Sequence, residues 1–243
     1  MSVLTPDRSN REARAAIMQS IRAHLAESAR VDSDRAHAAA IVSDQTPATS
    51  PVVVSPVSAF SERLESVGGH CVTVRDEDEG ARALAGIVSE LQEKDGAKRI
   101  ALSDEPLVTV LTRGISAPEI TVCPAASDLF SYDVGISTAQ AGIAETGTLI
   151  LEVEKERHRL VSLLPPVHVA ILKSGDIHLT IGEALTALRG DHENSLSRAI
   201  TFITGPSRTA DIELTLTVGV HGPKELYVIV IDELGVGALP RSQ

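Results

Sequence analysis

The chain has 243 residues, 43% of them hydrophobic and only 2% aromatic, and carries a formal charge of −11. This length holds one sizeable α/β domain and a small appendage. The acidic balance and the scarcity of rings argue against nucleic acid, because a phosphate backbone would be repelled and no stacking platform exists.

Two cysteines, Cys71 and Cys123, lie far apart and outside any CxxC spacing. The count argues against a disulfide framework, a zinc knuckle and an intrinsic iron–sulfur cluster. Both thiols fall in apolar, strand-like stretches, where a buried inert thiol is expected. Neither a signal-peptide core nor an apolar run long enough to cross a bilayer is visible, so a soluble, cytoplasmic protein is expected.

Ser9 and Glu12 have the spacing of a capping box. Ala13, Ile17, Ile21, Ala23 and Leu25 follow at helical intervals, predicting an N-terminal helix within residues 1–30. Residues 31–55 are rich in Asp, Ser, Ala and Pro and read as a flexible linker. The main α/β domain is expected over 56–235, leaving 236–243 as a tail.

Within that domain, Phe60, Leu64 and Val67 mark a helix ended by Gly68 and Gly69, and Cys71 to Val74 reads as a strand. The acidic run from Asp76 to Glu79 reads as a solvated turn opening a helix that ends near Lys94. Strands over 99–102 and 120–123 flank a helix near 106–113. Such alternation predicts right-handed βαβ crossovers and a parallel sheet. Four later runs, 148–153, 167–172, 199–204 and 226–231, are apolar enough for interior strands, with a helix over about 181–188.

Three loops depart from this pattern. In Ala144-Glu145-Thr146-Gly147-Thr148, Gly147 permits close backbone approach and Glu145 offers a base, a nucleophile or a binding group. The plainer reading, favoured on residues alone, is a helix C-terminal turn into a strand, with Glu145 satisfying backbone amides. Gly205-Pro206-Ser207-Arg208-Thr209-Ala210-Asp211-Ile212-Glu213 follows a strand. In a doubly wound sheet that position lines the ligand crevice, and its amides, hydroxyls and guanidinium suit a phosphate or carboxylate. Pairing of Arg208 with Asp211 or Glu213 in a capped turn fits equally well. In Gly219-Val220-His221-Gly222-Pro223, the flanking glycines hold His221 in a tight loop, as an acid, base, hydrogen-bond donor or structural residue.

His158, His168 and His178 lack metal-binding spacing, and GxGxxG, P-loop and GxSxG motifs are absent.

Ala-Glu145-Thr-Gly-Thr148, Ser162-Leu-Leu-Pro-Pro-Val-His168, Gly205 to Glu213 and Gly219 to Pro223 occur in the order and spacing of LUD-domain proteins. The chain resembles that family over roughly residues 57–233, most closely its lactate utilization protein C branch. The resemblance implies a Rossmann-like three-layer sandwich with a mostly parallel sheet, similar to ribose-5-phosphate isomerase and CoA-transferases. It also implies a cluster-free subunit that serves L-lactate oxidation to pyruvate beside iron–sulfur partner proteins, with no intrinsic cofactor. The site residues expected on these motifs are Glu145 and His221 for proton handling. Thr146, Gly147, Thr148, Ser207, Arg208, Thr209, Asp211 and Gly222 are expected around a small carboxylate or phosphate. The alternative is a small-anion-binding or CoA-transferase-like enzyme using Glu145 as nucleophile.

Overall fold

The computed structural model describes residues 18–20, 22, 55–152, 159–191, 197–210, 216–218 and 222–232. The chain divides into two units, Met1–Val53 and Val54–Gln243. In the first, the described residues are helical; the expected linker and tail lie outside the described residues.

The second unit opens with helix α1 (Pro56–Ser66), whose proline sits in the first turn, where no amide donor is missed. Strand β1 (His70–Val74) follows, then helix α2 (Glu77–Asp95). The acidic run is the start of α2. Asp76 is its N-cap and accepts the Glu79 amide at 2.7 Å, while Gly96 closes the helix in the left-handed conformation. Next come β2 (Arg99–Leu102), α3 (Pro106–Leu111) and β3 (Glu119–Val122). After β4 (Val134–Thr138), β5 (Ala141–Ile143) and β6 (Thr148–Glu152), a 3-10 turn at Arg159–Ser162 leads into β7 (Val167–Lys173). The remainder is β8 (Ile177–His178), α4 (Ile181–Asp191), β9 (Ile200–Ile203), β10 (Arg208–Ala210), β11 (Leu216–Val218) and β12 (Glu225–Ile231).

Six strands form one all-parallel sheet in the order β1-β12-β7-β4-β2-β3. Strands β4, β7 and β12 at its centre are buried almost throughout, as parallel strands covered on both sides must be. One face, with Val134, Ile136, Val169, Ile171 and Ile229, packs against Leu84, Val88 and Leu91 of α2 and Val108 and Leu111 of α3. The other, with Ala170, Leu172, Leu226, Val228 and Val230, packs against Phe60 and Leu64 of α1 and Leu149 and Leu151 of β6.

The expected parallel α/β architecture is therefore present, with an addition that periodicity did not reveal. Strands β8-β5-β6-β9 make a second, mixed sheet inserted between β4 and β12. Its outer face, with Ala141, Ile143 and Ile150, is covered by Ala184 and Leu188 of α4. Strand β9, expected in the interior, is an edge of this smaller sheet, and Phe202 within it is 44% exposed.

The sheet also admits no side chain at Gly135 in β4. A methyl group there would run into the backbone carbonyl of Val161 in the 3-10 turn, which cannot give way as a flexible side chain would. Gly135→Ala is expected to lower the unfolding free energy by about 2–3 kcal/mol, seen as a lower urea midpoint with an unchanged slope. A midpoint equal to wild type would contradict this packing.

Candidate functional site

Glu145 to Gly147 form the turn of a β-hairpin between β5 and β6, rather than the expected helix C-terminus. Gly147 takes φ +65°, and a Cβ there would strike the backbone of Arg63 and Leu64, so the turn lies directly on α1. The close backbone approach that its glycine suggested is thus made to a helix of the same chain.

Glu145 is exposed, and its carboxylate faces the start of α4. Its Oε1 accepts the Ile181 amide at 2.9 Å, while its own amide donates to the Leu179 carbonyl. Thr180 accepts the Glu183 amide, and Glu183 accepts the amide of Leu179, one residue before that cap, a variant of the capping box. Glu145 supplies a further acceptor to the same helix start, where negative charge is favoured.

Thr146 and Thr148 share a hydrogen bond of 2.7 Å between hydroxyls, and Thr148 shares another of 2.9 Å with Thr204. This chain ties the start of β6 to the end of β9.

The Gly205 to Arg208 segment follows β9, which belongs to the smaller sheet, so it does not line the C-terminal edge of the parallel sheet. It lies at the opposite end. The Ser207 amide donates to the Pro223 carbonyl, and the Lys224 amide to that of Pro166; these partners directly precede β12 and β7. Gly222 packs against the Ser207 side chain, and the Arg208 guanidinium lies beside Gly68, just before β1. Arg208 is exposed and has no hydrogen bond or ion pair among the described residues. Thr209 pairs with Thr217 through the backbone of the β10–β11 hairpin. Asp211 and His221 lie outside the described residues. The structure therefore gathers Thr146, Thr148, Ser207, Arg208 and Gly222 around the end of α1, and turns the Glu145 carboxylate away to the start of α4.

Sequence reasoning left His168 among the residues merely surrounding these loops. It is fully buried on β7, and its Nε2 lies 2.9 Å from Ser137 Oγ of β4. Its Nδ1 has no hydrogen-bond partner, nor does the buried Ser103 hydroxyl at the end of β2. Burial pushes the imidazole pKa down to about 3. Cys71 is likewise pushed up by burial, chiefly through desolvation, while Cys123 sits half-buried after β3 at φ +52°. Among the described residues no cluster of His, Cys, Asp and Glu can hold a metal ion, and no helix is long and apolar enough to cross a membrane.

A parallel α/β sheet with an inserted mixed sheet, and motif loops packed at the N-terminal end of its strands, define the class of fold. The LUD domain family model matches residues 57–231, and the chain belongs to that family. It is 39% identical over 102 residues to lactate utilization protein C of Oceanobacillus iheyensis, covering 41% of this chain and 44% of that protein. With lactate utilization protein C of Bacillus subtilis it shares 41% over 103 residues, covering 41% and 43%. These matches thus span less than half the length of the curated relatives. A crystal structure of a DUF162 family protein from Deinococcus radiodurans aligns with 74% of this chain and 99% of its own, at 22% identity and a TM-score of 0.51, which supports the fold.

Two outcomes follow from the geometry. Glu145→Ala should destabilise the fold by about 1 kcal/mol, as a lost helix cap does, whereas Glu145→Gln keeps an acceptor oxygen and should cost less. Equal, negligible effects of both in urea titrations would contradict the capping role. For His168, the unfolded imidazole takes a proton near about pH 6.5. The unfolded state then binds more protons between that pH and about 3, so stability is lost as pH falls through this window. His168→Gln should flatten the decline of Tm between pH 6.5 and 4 by roughly one proton's share. A decline as steep as in wild type would contradict a buried neutral imidazole.

Proposed function

We propose that this chain is the cluster-free subunit of a cytoplasmic assembly that oxidises L-lactate to pyruvate, working beside iron–sulfur partner proteins. The observation that carries this reading is the identity of about 40% to two proteins named lactate utilization protein C, within a chain of the LUD domain family.

The chemistry is consistent with a subunit that needs partners. Converting the alcohol carbon of lactate to a ketone removes two electrons and two protons, so an electron acceptor is required as well as a base. Two cysteines do not make the four-thiolate set that iron–sulfur clusters commonly take, which places the acceptor on the partners in this reading. The motif loops then divide by role. Glu145, Thr146, Gly147 and Thr148 hold the hairpin to α1 and α4, while Ser207, Arg208 and Gly222 furnish part of the surface that meets a partner. An exposed guanidinium with no side-chain partner among the described residues, Arg208, suits the rim of such an interface.

Deleting the gene in the native cell should abolish growth on L-lactate while sparing growth on pyruvate, and the intact gene should restore it. Affinity capture of the chain from lactate-grown cells should bring two iron–sulfur proteins and lactate-dependent reduction of an electron acceptor. Unimpaired growth of the deletion strain, or recovery of the chain alone and inert towards lactate, would contradict the proposal.

A further inference from the structure

The C-terminal end of the parallel sheet contains a cleft whose described lining includes no residue of the motif loops. From β2 the chain leaves through α3 on the face packed by α2 and runs outward to β3. From β4 it leaves through β5 and β6 on the opposite face and reaches β7 on the other side. Adjacent strands whose connections part in this way leave a crevice beyond their carboxyl ends, the position where open α/β sheets bind ligands. Here the crevice is a cavity of about 370 Å³ lined by Glu105, Pro106, Thr138, Gln140, Lys173 and Asp176, with Ala139 and Ile171 contributing apolar wall.

We propose that this cleft binds a small 2-hydroxycarboxylate, with Lys173 taking the carboxylate and Glu105 or Asp176 accepting the hydroxyl. The location rests on topology and the cavity; the choice of ligand rests on the lactate reading above.

Lys173 ends β7 and is exposed, with no hydrogen bond or ion pair among the described residues. Glu105 and Asp176 each have an interaction of their own within the fold. A carboxylate has about four acceptor sites, so a further hydroxyl donor can be accommodated. The wall between them is held in place. Gln140 Oε1 accepts the Glu152 amide at 2.8 Å, and Gln140 Nε2 donates to Thr138 Oγ1 at 3.2 Å. Lys173 is the one cation among the lining residues, in company with Glu105 and Asp176. A carboxylate on the ligand supplies the counter-ion that a neutral amide lacks, and a dianion is repelled by the two carboxylates more strongly than a monoanion is.

The test is calorimetric titration of the full chain with L-lactate, propionate, lactamide and inorganic phosphate. L-lactate should bind best, with propionate weaker for want of the hydroxyl and lactamide and phosphate weaker still. Lys173→Met should weaken L-lactate at least about tenfold, as loss of a charged hydrogen-bond partner does. Lys173→Arg should keep most of the affinity, and Arg208→Met all of it. Circular dichroism and Tm establish that each variant is folded. Binding that survives Lys173→Met but is lost in Arg208→Met would overturn the assignment, as would wild-type protein that ignores L-lactate or prefers phosphate. A gene needed for growth on lactate whose product ignores L-lactate removes the cleft and leaves the lactate role standing. Binding through Lys173 in a cell that does not need the gene supports the cleft and removes the growth role.

Discussion

Three strands buried on both faces set the terms for everything else in the domain. Strands β4, β7 and β12 are buried on both faces, and β7 and β12 present apolar side chains up and down, so neither face of the parallel sheet can be left to water. Helices α2 and α3 cover one face. The other is covered by α1 and by a second sheet that must itself be covered by α4. Close layers leave no room for a side chain at several positions, and glycines occupy them. Gly135 lies under the Val161 carbonyl, Gly142 faces Leu172 and Phe60, and Gly147 rests on the last turns of α1.

The same constraint explains the motif loops. A hairpin pressed onto α1 needs its turn fixed, and the turn is fixed by hydroxyl contacts from Thr146 through Thr148 to Thr204. Helix α4 must start beside that turn to close the outer face of the smaller sheet, and Glu145 and the Thr180–Glu183 box satisfy its leading amides. Much of the chemistry suggested by Glu145 is therefore spent on holding layers together. At the opposite, carboxyl end of the strands, the exposed Lys173 side chain has no hydrogen bond or ion pair among the described residues and is open to a ligand.

The first half of the domain was legible because helix and strand alternate there with clear punctuation. Gly68-Gly69 ends α1, Asp76 opens α2 and Gly96 closes it. Strand β4 was hidden because Val-Gly-Ile-Ser-Thr mixes in the glycine that Val161 requires and the serine that meets His168. Strand β5 is three residues long and carries a glycine at its centre. The placement of the Gly205 loop was hidden for the same reason. With the smaller sheet unrecognised, Ile200–Ile203 reads as one more parallel strand, whose end would fall at the carboxyl edge of the parallel sheet. The cleft itself left no local signature, because Glu105, Thr138, Gln140 and Lys173 are brought together only by strand order. His168 was missed although 167–172 reads as an interior strand, since nothing beside it in sequence shows that Ser137 of β4 stands next to its ring.

The account separates two ends of one sheet, with structural motifs at the amino end and ligand recognition at the carboxyl end. A crystal structure of the full chain grown with L-lactate tests that separation most directly. The account predicts ligand density in the cleft between Lys173 and Thr138, with the carboxylate on the ammonium group and no density beside Arg208. Lactate bound against Arg208 and Ser207, with the cleft holding only solvent, would contradict it.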